Sequence, residues 1–319
     1  MPSQTVFELL NQANEVELIT CKMCGHTTTS DQERCPHCNA FLKLPTLAQY
    51  GKRLPIGILV DRRLLKDFEV RKVDFKVESE ISETWKRFIE KARREQLTTL
   101  QYILNVLCHT ITKLGGRDFQ ELPFAQRMAV LHKLYDGDPY YMYTYVRIET
   151  IGPNIDLLNL ECFNCGNQIP EFSADLTSLE VATIETPNDL YKEVMLRDGF
   201  TFSKREGCKR LKIQPTTINS VLNASSLNAT QQKAEQIREA VIEVEDFGDA
   251  SFLDNHDLET MTKPDFDMLI KVISRHTGGP DWSVTVEGCK CGKDFRVLLP
   301  ARYEDFFARS FRYDLGRIF

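Results

Sequence analysis

Paired cysteines constrain this chain more than any other feature, because eight of its ten cysteines stand in closely spaced pairs. The first set of four is Cys21, Cys24, Cys35 and Cys38, and the second is Cys162, Cys165, Cys289 and Cys291. A Cys-x2-Cys turn places two sulfurs on one side of a metal ion, and tetrahedral Zn²⁺ binds four thiolates. The sequence therefore predicts two structural zinc ions, one for each set.

The two sets differ in the distance between their halves. Ten residues separate the pairs of the first set, and Gly25 supports the tight turn, so this set predicts an N-terminal zinc ribbon. The alternative is a cluster of reduced cysteines without metal. In the second set 123 residues separate Cys165 from Cys289, but each pair follows a strand-like run and precedes a glycine, Gly166 or Gly292. We expect these halves to share one ion, although the short Cys-x-Cys spacing leaves open that one pair binds nothing.

No catalytic site is predicted. A catalytic zinc keeps an open coordination position and usually has histidine or carboxylate ligands, whereas four cysteines close each set with sulfur. The sequence also lacks the serine-hydrolase elbow, the phosphate-binding loop, the H-E-x-x-H helix and the dinucleotide glycine pattern. The simplest prediction is an interaction or structural protein, and no enzymatic activity is predicted.

Composition limits the classes of partner. The formal net charge is −6, which disfavours nucleic acid because phosphate binding requires a basic face. No run approaches the roughly 18 apolar residues of a membrane span, so none is expected. The N-terminal Met1-Pro-Ser-Gln4 lacks the features of a signal peptide, and the cysteine spacing fits zinc thiolates in a reducing compartment.

The hydrophobic pattern predicts an α+β chain of several modules. They are an N-terminal zinc ribbon at 1–45, a linker and β segment at 46–78, a helical domain at 79–153, a second zinc-ribbon-like module at 154–180 and 282–319, and an inserted α+β subdomain at 181–281.

Three local predictions accompany this division. A run of apolar residues at helical spacing begins near Glu83 and is predicted to end at the cap 115–116, as one kinked helix or two. Asp138 before Pro139 predicts the N-cap of a further helix. The dipeptide 198–199, Asp-Gly, predicts the turn of a β-hairpin.

The order of several short motifs resembles the baseplate and tail-assembly proteins of contractile-tailed bacteriophages and related contractile injection systems. The motifs are Leu54-Pro-Ile-Gly57, Asp61-Arg-Arg-Leu-Leu-Lys-Asp-Phe-Glu-Val-Arg71, Asp136-Gly-Asp138, Arg147-Ile-Glu-Thr-Ile-Gly152, Cys162-x2-Cys165-Gly166, Asp175-Leu176, Cys289-Lys-Cys291-Gly-Lys-Asp-Phe295 and Glu304-Asp-Phe-Phe307. The likeness covers roughly residues 54–178 and 282–312. The chain departs from the family in its separate N-terminal ribbon and in having Cys-x-Cys where Cys-x2-Cys is more usual.

The resemblance implies a structural or assembly component of a baseplate, located in the virion or in the producer cytoplasm during assembly. Its partners would be other baseplate, hub or tail proteins in a hetero-oligomer. Tyr141 and Arg147 are the predicted partner-binding residues, since buried aromatic and arginine side chains carry much of the energy of protein interfaces. The alternative is a zinc-ribbon protein that binds nucleic acid or associates with transcription.

Overall fold

The computed structural model describes residues 18–21, 26–29, 32, 35–36, 42–92, 98–225, 227–245, 248–250 and 253–312. The chain divides into two compact units, residues 1–44 and 45–319. Helices and several small, mainly antiparallel sheets alternate along it, so the predicted α+β class is confirmed. Within the described part of the chain, no helix has the length and apolar character needed to cross a membrane.

The described part of the first unit is a short β-hairpin. Strands β1 (Leu18–Thr20) and β2 (Thr27–Thr29) pair antiparallel, and the amide of Cys21 donates to the carbonyl oxygen of His26 at 2.8 Å. Cys21 and Cys35 are both buried beside Leu42. The other two cysteines of the first set, at positions 24 and 38, lie outside the described residues, so the first zinc site and its ribbon remain predictions.

The second unit begins with helix α1 (Leu47–Tyr50), inside the segment predicted as a linker. The elements that follow are strands β3 (Arg53–Val60) and β4 (Arg63–Val70), helices α2 (Phe75–Ala92) and α3 (Thr99–Thr110), strands β5 (Ile111–Leu114) and β6 (Arg117–Asp118), helices α4 (Phe124–His132) and α5 (Gly137–Ile151), and strands β7 (Asn154–Glu161) and β8 (Gln168–Asp175). A 3₁₀ turn at Leu176–Ser178 and strand β9 (Val181–Ala182) complete this half.

The second half, after a 3₁₀ turn at Pro187–Leu190, contains strands β10 (Lys192–Phe202) and β11 (Arg205–Ile213), helices α6 (Ile218–Ala224) and α7 (Ala229–Ala240), strands β12 (Val241–Val244) and β13 (Gly248–Asp249), helices α8 (Asn255–Glu259) and α9 (Lys263–Arg275), and strands β14 (Gly279–Pro280), β15 (Ser283–Val286) and β16 (Phe295–Leu298). Helix α10 (Tyr303–Phe306) and strand β17 (Ser310–Arg312) follow, and β17 pairs parallel with β7.

These two halves repeat one structure, which we call the first repeat (residues 53–175) and the second repeat (residues 192–298). Each begins with a four-stranded sheet of the same order, β3-β4-β5-β6 and β10-β11-β12-β13, and each ends in a further hairpin. In both, two helices separate the second strand from the third, and two more follow the fourth.

Hydrogen bonds match between the repeats residue by residue. The amide of Arg71 donates to the carbonyl of Thr110, and that of Gln214 donates to the carbonyl of Ala240, both at 2.8 Å. In each sheet the second and third strands pair with a shift of register at the same place. The matched cross-strand pairs are Phe68 with Leu114 and Leu211 with Val244. The repeat is therefore a property of the backbone and does not depend on residue identity.

The apolar cores follow the two repeats only in part. The sheet of the second repeat and its helices α7, α8 and α9 form a separate core that includes Leu196, Ile237 and Leu269. The main core combines the first repeat with α6 and the closing hairpin of the second, through residues such as Leu104, Ile218 and Val297. Strands β9 and β14 also pair between the halves. The repeats are thus joined at their final hairpins, through β9 and β14, and at the start of α6, where the amide of Ile218 donates to the carbonyl of Leu134 at 2.9 Å.

Three predicted elements differ from the structure. The helical run predicted through residue 114 is two helices followed by strand β5, and its glycines, Gly115 and Gly116, form a turn with φ of 59° and 76°. Residues 75–77, predicted as strand, begin helix α2. The dipeptide 198–199 lies inside strand β10, and the turn is at Ser203 and Lys204, whose φ values are positive.

Candidate metal centre

Two hairpin ends form the candidate centre. Cys162 and Cys165 lie in the connection between β7 and β8, and Cys289 and Cys291 lie between β15 and β16. The amide of Gly166 donates to the carbonyl of Cys162, and that of Gly292 donates to the carbonyl of Cys289, each at 2.8 Å. Both glycines have φ near +70°, at 68° and 69°, a conformation that side chains disfavour. Two similar turns, closed over four residues in the first hairpin and three in the second, thus present the two cysteine pairs.

The four sulfurs converge on one point. All lie within 4.8 Å of one another. The Sγ–Sγ distances are 3.5 Å for Cys165 with Cys289, 3.6 Å for Cys289 with Cys291 and 3.9 Å for Cys162 with Cys291. Four thiolates at about 2.3 Å around a tetrahedral ion are about 3.8 Å apart, whereas a disulfide requires about 2.05 Å. The spacing fits a shared metal ion, and the predicted meeting of the two halves is confirmed as a cluster that could hold one.

The pKa values of two cluster thiols are shifted in opposite directions: that of Cys162 is lowered, and that of Cys289 is raised to about 12. Burial acts to raise the pKa of Cys162, but backbone N–H donors at Asn164 and Cys165 and the neighbouring thiol of Cys289 lower it to about 7. A lower pKa increases the fraction of thiolate, which is the form that binds metal. The hairpin backbone therefore contributes to metal binding as well as to geometry.

The cluster has a buried side and an open side. Cys162 and Cys289 are buried, and Cys165 and Cys291 are exposed. Between the two hairpins, the ring of Phe163, which is 57% exposed, meets that of the buried Phe295 edge to face at 5.7 Å between centroids. An ion can therefore reach the sulfurs from solvent, while the apolar packing of the hairpins fixes their positions. All four candidate ligand atoms in this cluster are cysteine sulfurs, a donor set typical of structural zinc sites.

The two residues predicted to bind partners do not form a surface. Tyr141 and Arg147 each have 0% of their area exposed. The hydroxyl of Tyr141 donates to the carbonyl of Gly51, and the guanidinium of Arg147 donates to the carbonyls of Phe306 at 2.7 Å and Asn154 at 2.6 Å. The prediction is wrong for this folded chain, because both side chains satisfy internal backbone acceptors and neither is free for a partner.

Two aspartates hold the first strand of each repeat, a role that the sequence did not predict for either residue. The carboxylate of Asp138 accepts from the amides of Ile56 and Gly57, both at 2.9 Å. The carboxylate of Asp265 accepts from the amides at 197, 198 and 199, at 2.8–2.9 Å. Asp138 is fully buried, and the prediction that it is an N-cap is wrong, because α5 begins at Gly137 and the Asp138 carboxylate binds amides of β3 instead. The sequence did contain a signal for this role. Each aspartate lies next to a proline at the start of a helix, and β3 and β10 each have a glycine, Gly57 or Gly199, four residues before the hairpin turn.

The fold and the site define a class: a duplicated α+β protein whose repeats meet at four cysteines. Comparisons with protein-family models, curated proteins and solved structures find no match to this chain.

Proposed function

We propose that this protein is a structural or assembly component of a contractile phage tail or injection-system baseplate, acting through protein contacts. The observation that most supports this proposal is the convergence of four cysteines from the ends of two repeats. Such a centre fixes one part of a chain against another, which suits a scaffold. The order of motifs in residues 54–178 and 282–312, which resembles baseplate and tail-assembly proteins, supports a phage tail or injection-system baseplate as the assembly.

The proposed ion in the Cys162–Cys291 cluster is zinc. A tetrahedral set of four thiolates is typical of zinc or of iron–sulfur centres. Zinc is favoured because a hairpin turn with a following glycine supplies each cysteine pair, as in zinc ribbons. The first set, which includes Cys21 and Cys35, is proposed to hold a second ion. Elemental analysis distinguishes zinc from iron. An iron–sulfur centre would in addition absorb visible light.

The proposed role is positional and not catalytic. A sulfur-closed ion leaves no coordination position for substrate or water. The chain's net charge of −6 also opposes a phosphate-binding role, because affinity for nucleic acid rests largely on cationic side chains. A scaffold in a hetero-oligomeric assembly, in the particle or in the producing cell during assembly, agrees with both points.

Co-purification from producing cells tests the proposal. A tagged chain should retain tail, baseplate or spike proteins, and mass spectrometry of mature particles then separates a permanent component from an assembly factor. Recovery of no such protein, together with tight DNA or RNA binding at about 0.15 M salt, contradicts the proposal. That result would favour the zinc-ribbon nucleic-acid alternative.

A further inference from the structure

A small cavity lies where the start of α5 meets the segment between α9 and β15. Its volume is about 270 Å³. Asp136 and Tyr140 line it from the α5 side, and Trp282 lines it from the other side. The described residues around it include one carboxylate and no lysine or arginine, so the cavity is acidic.

Three glycines in the lining fix the shape of this cavity. A Cβ added to Gly137 would clash with the carbonyl oxygen of Gly278. A Cβ added to Gly279, where φ is +120°, would lie 2.8 Å from the Cα of Gly137. The two segments thus touch backbone to backbone, which only glycine allows. The shape of the cavity is therefore set by the fold before any ligand binds.

The carboxylate of Asp136 has no partner in the described part of the chain. It forms no ion pair and no hydrogen bond there, and although Asp136 precedes α5, its side chain does not cap the helix amides. Asp136 is half-buried, and burial raises the pKa of its carboxyl to about 6, so it is largely ionised above pH 7. A carboxylate withdrawn from water without a partner costs free energy, which a bound cation would offset.

Two aromatic side chains accompany this carboxylate. The rings of Tyr140 and Trp282 meet at 78°, with 5.5 Å between centroids. Burial and then the charge of Asp136 raise the pKa of the Tyr140 hydroxyl, so these two groups lie close together. Phe306 stacks on Trp282 at 4.9 Å and holds the indole in place. Because aromatic rings attract cations and a carboxylate accepts charge-assisted hydrogen bonds, the three side chains suit an organic cation.

We propose that this cavity receives a cationic side chain of a partner protein, with arginine preferred to lysine. The inference deepens the proposed scaffold function and rests on its premise that the chain acts through protein contacts. A guanidinium is favoured because it is planar, stacks on aromatic rings and can donate two parallel hydrogen bonds to one carboxylate. The volume suits a single side chain, since pockets for complete small-molecule ligands usually have about 300–1,000 Å³.

The same lining disfavours other charged ligands. A divalent cation such as Ca²⁺ needs several oxygen ligands, and Asp136 is the one carboxylate among the described lining residues. That carboxylate would repel a phosphate, and the described lining offers no cationic side chain to hold one. A monovalent organic cation satisfies the charge of Asp136 with the fewest ligands.

Fluorine NMR of the full-length protein tests the proposal. The chain has two tryptophans, so labelling with 5-fluorotryptophan gives one signal at the cavity, from Trp282, and one internal control in α2, from Trp85. The probe is acetyl-Gly-Arg-Gly-amide, compared with the lysine tripeptide and the uncharged citrulline tripeptide. The Trp282 signal should shift saturably with the arginine peptide, with a Kd of about 1–10 mM. It should respond more weakly to lysine and not to citrulline, while the Trp85 signal stays in place.

Asp136→Asn keeps the size of the side chain and removes its charge. It should weaken binding of the arginine peptide at least about tenfold. Glu171→Gln is the control, because it removes the same charge from an exposed position outside the cavity, and it should leave binding unchanged. The assignment of the cavity would be overturned by no saturable shift up to about 50 mM peptide, by an equal shift with citrulline, or by equal binding to Asp136→Asn. The citrulline comparison needs no variant.

Co-purification from producing cells then tests whether a partner protein supplies the cation. The Asp136→Asn chain should lose at least one of the proteins that the wild-type chain retains. If it retains all of them, the cavity does not hold a side chain of a partner. If the wild-type chain itself retains no baseplate protein, the baseplate proposal is wrong, while the peptide titration still decides whether the cavity binds a guanidinium.

Discussion

At the scale of single residues, the matched aspartates show how one backbone device acquires two electrostatic environments. Burial raises the pKa of Asp138 to about 7, against the opposing effect of the amides at Ile56 and Gly57. Burial also acts to raise the pKa of Asp265, but backbone N–H donors at 197, 199 and 198 outweigh it and lower the pKa below the usual value. The two carboxylates should therefore affect stability in opposite directions as pH changes.

The pH dependence of stability tests this difference. Because Asp138 binds its proton more tightly when folded, its contribution is greatest below the unfolded pKa of about 3.9 and falls as pH rises to about 7. The free energy of unfolding of the wild type minus that of Asp138→Asn should decrease over this window. For Asp265, whose folded pKa is lowered, the corresponding difference should be present above about pH 4 and be lost on acidification.

Urea unfolding of the three proteins from about pH 2 to about pH 8 measures both differences, because the Asp265 contribution is lost only below about pH 4. Using each wild-type-minus-variant difference cancels the titration of the other carboxylates. Parallel slopes for the two variants would show that the aspartates have the same electrostatic environment.

The strand glycines give a second residue-scale prediction. Gly57 and Gly199 have φ of 92° and 86°, and an added Cβ would lie 2.6 Å from the carbonyl oxygen of Leu65 and 2.7 Å from that of Cys208. Substitution by alanine combines backbone strain with a clash against backbone, so each change should cost on the order of 2 kcal/mol or more. Thermal or urea unfolding measures the loss.

Gly116→Ala is the matched control for the glycine substitutions. Gly116 also has a positive φ, 76°, but an added Cβ there meets nothing within 4 Å. Its cost should be the strain alone, about 1 kcal/mol. Equal losses at Gly116 and Gly57 would show that close packing adds nothing to the requirement for glycine.

At the scale of elements, the cysteine hairpins were predictable because their signals are local. A strand, a paired-cysteine turn and a following glycine occur together at Gly166 and at Gly292, so sequence alone located both ends. Their convergence was inferred from the preference of zinc for four ligands and from the matching strand and glycine around each pair. The duplication of the backbone was missed, because equivalent positions such as Phe68 and Leu211 differ and only the pattern of pairing is shared.

Other element boundaries depend on tertiary pairing that local patterns do not encode. Residues 111–114 suit either a helix or a strand, and pairing with β4 decides in favour of a strand. The glycines after them can end a helix or form a hairpin turn, so they did not settle the choice. At Gly199 the Asp-Gly signal marks a tight approach to a neighbouring strand and not the turn itself.

Cysteine substitution tests the cluster as an element-scale unit. Cys162→Ser and Cys291→Ser should each lower the bound metal by about one ion per chain, because loss of either half leaves an incomplete tetrahedral set. Elemental analysis after gel filtration gives the stoichiometry. Cys208→Ser is the control, since Cys208 is buried in the core of the second repeat and lies outside the cluster.

If the wild-type protein contained no metal, the proposal that the four cysteines hold a structural ion would be wrong. If only one of the two variants lost metal, the cysteine pair changed in that variant would bind an ion without help from the second pair. The first set does not interfere with either reading, because it is unchanged in all variants and its contribution cancels in the difference.

At the scale of the whole molecule, the centre closes a long loop. A metal shared by Cys165 and Cys289 links the ends of the segment that contains the second repeat's sheet and helices. Cross-linking distant positions reduces the conformational entropy of the unfolded chain, and metal binding therefore adds to folding stability. The core of the second repeat contains none of the four cysteines, so it should depend on the metal less than the paired hairpins do.

Hydrogen exchange with and without a chelator tests this coupling. Removing the metal should increase exchange about tenfold or more in both hairpins, β7–β8 and β15–β16, while the sheet of the second repeat, β10–β13, keeps most of its protection. Cys165→Ser and Cys291→Ser should each reproduce the chelator's pattern, because either loss releases the same junction. If each variant instead loosened only its own hairpin, the two repeats would not be held together by a shared ion, and the metal would act as two independent local supports.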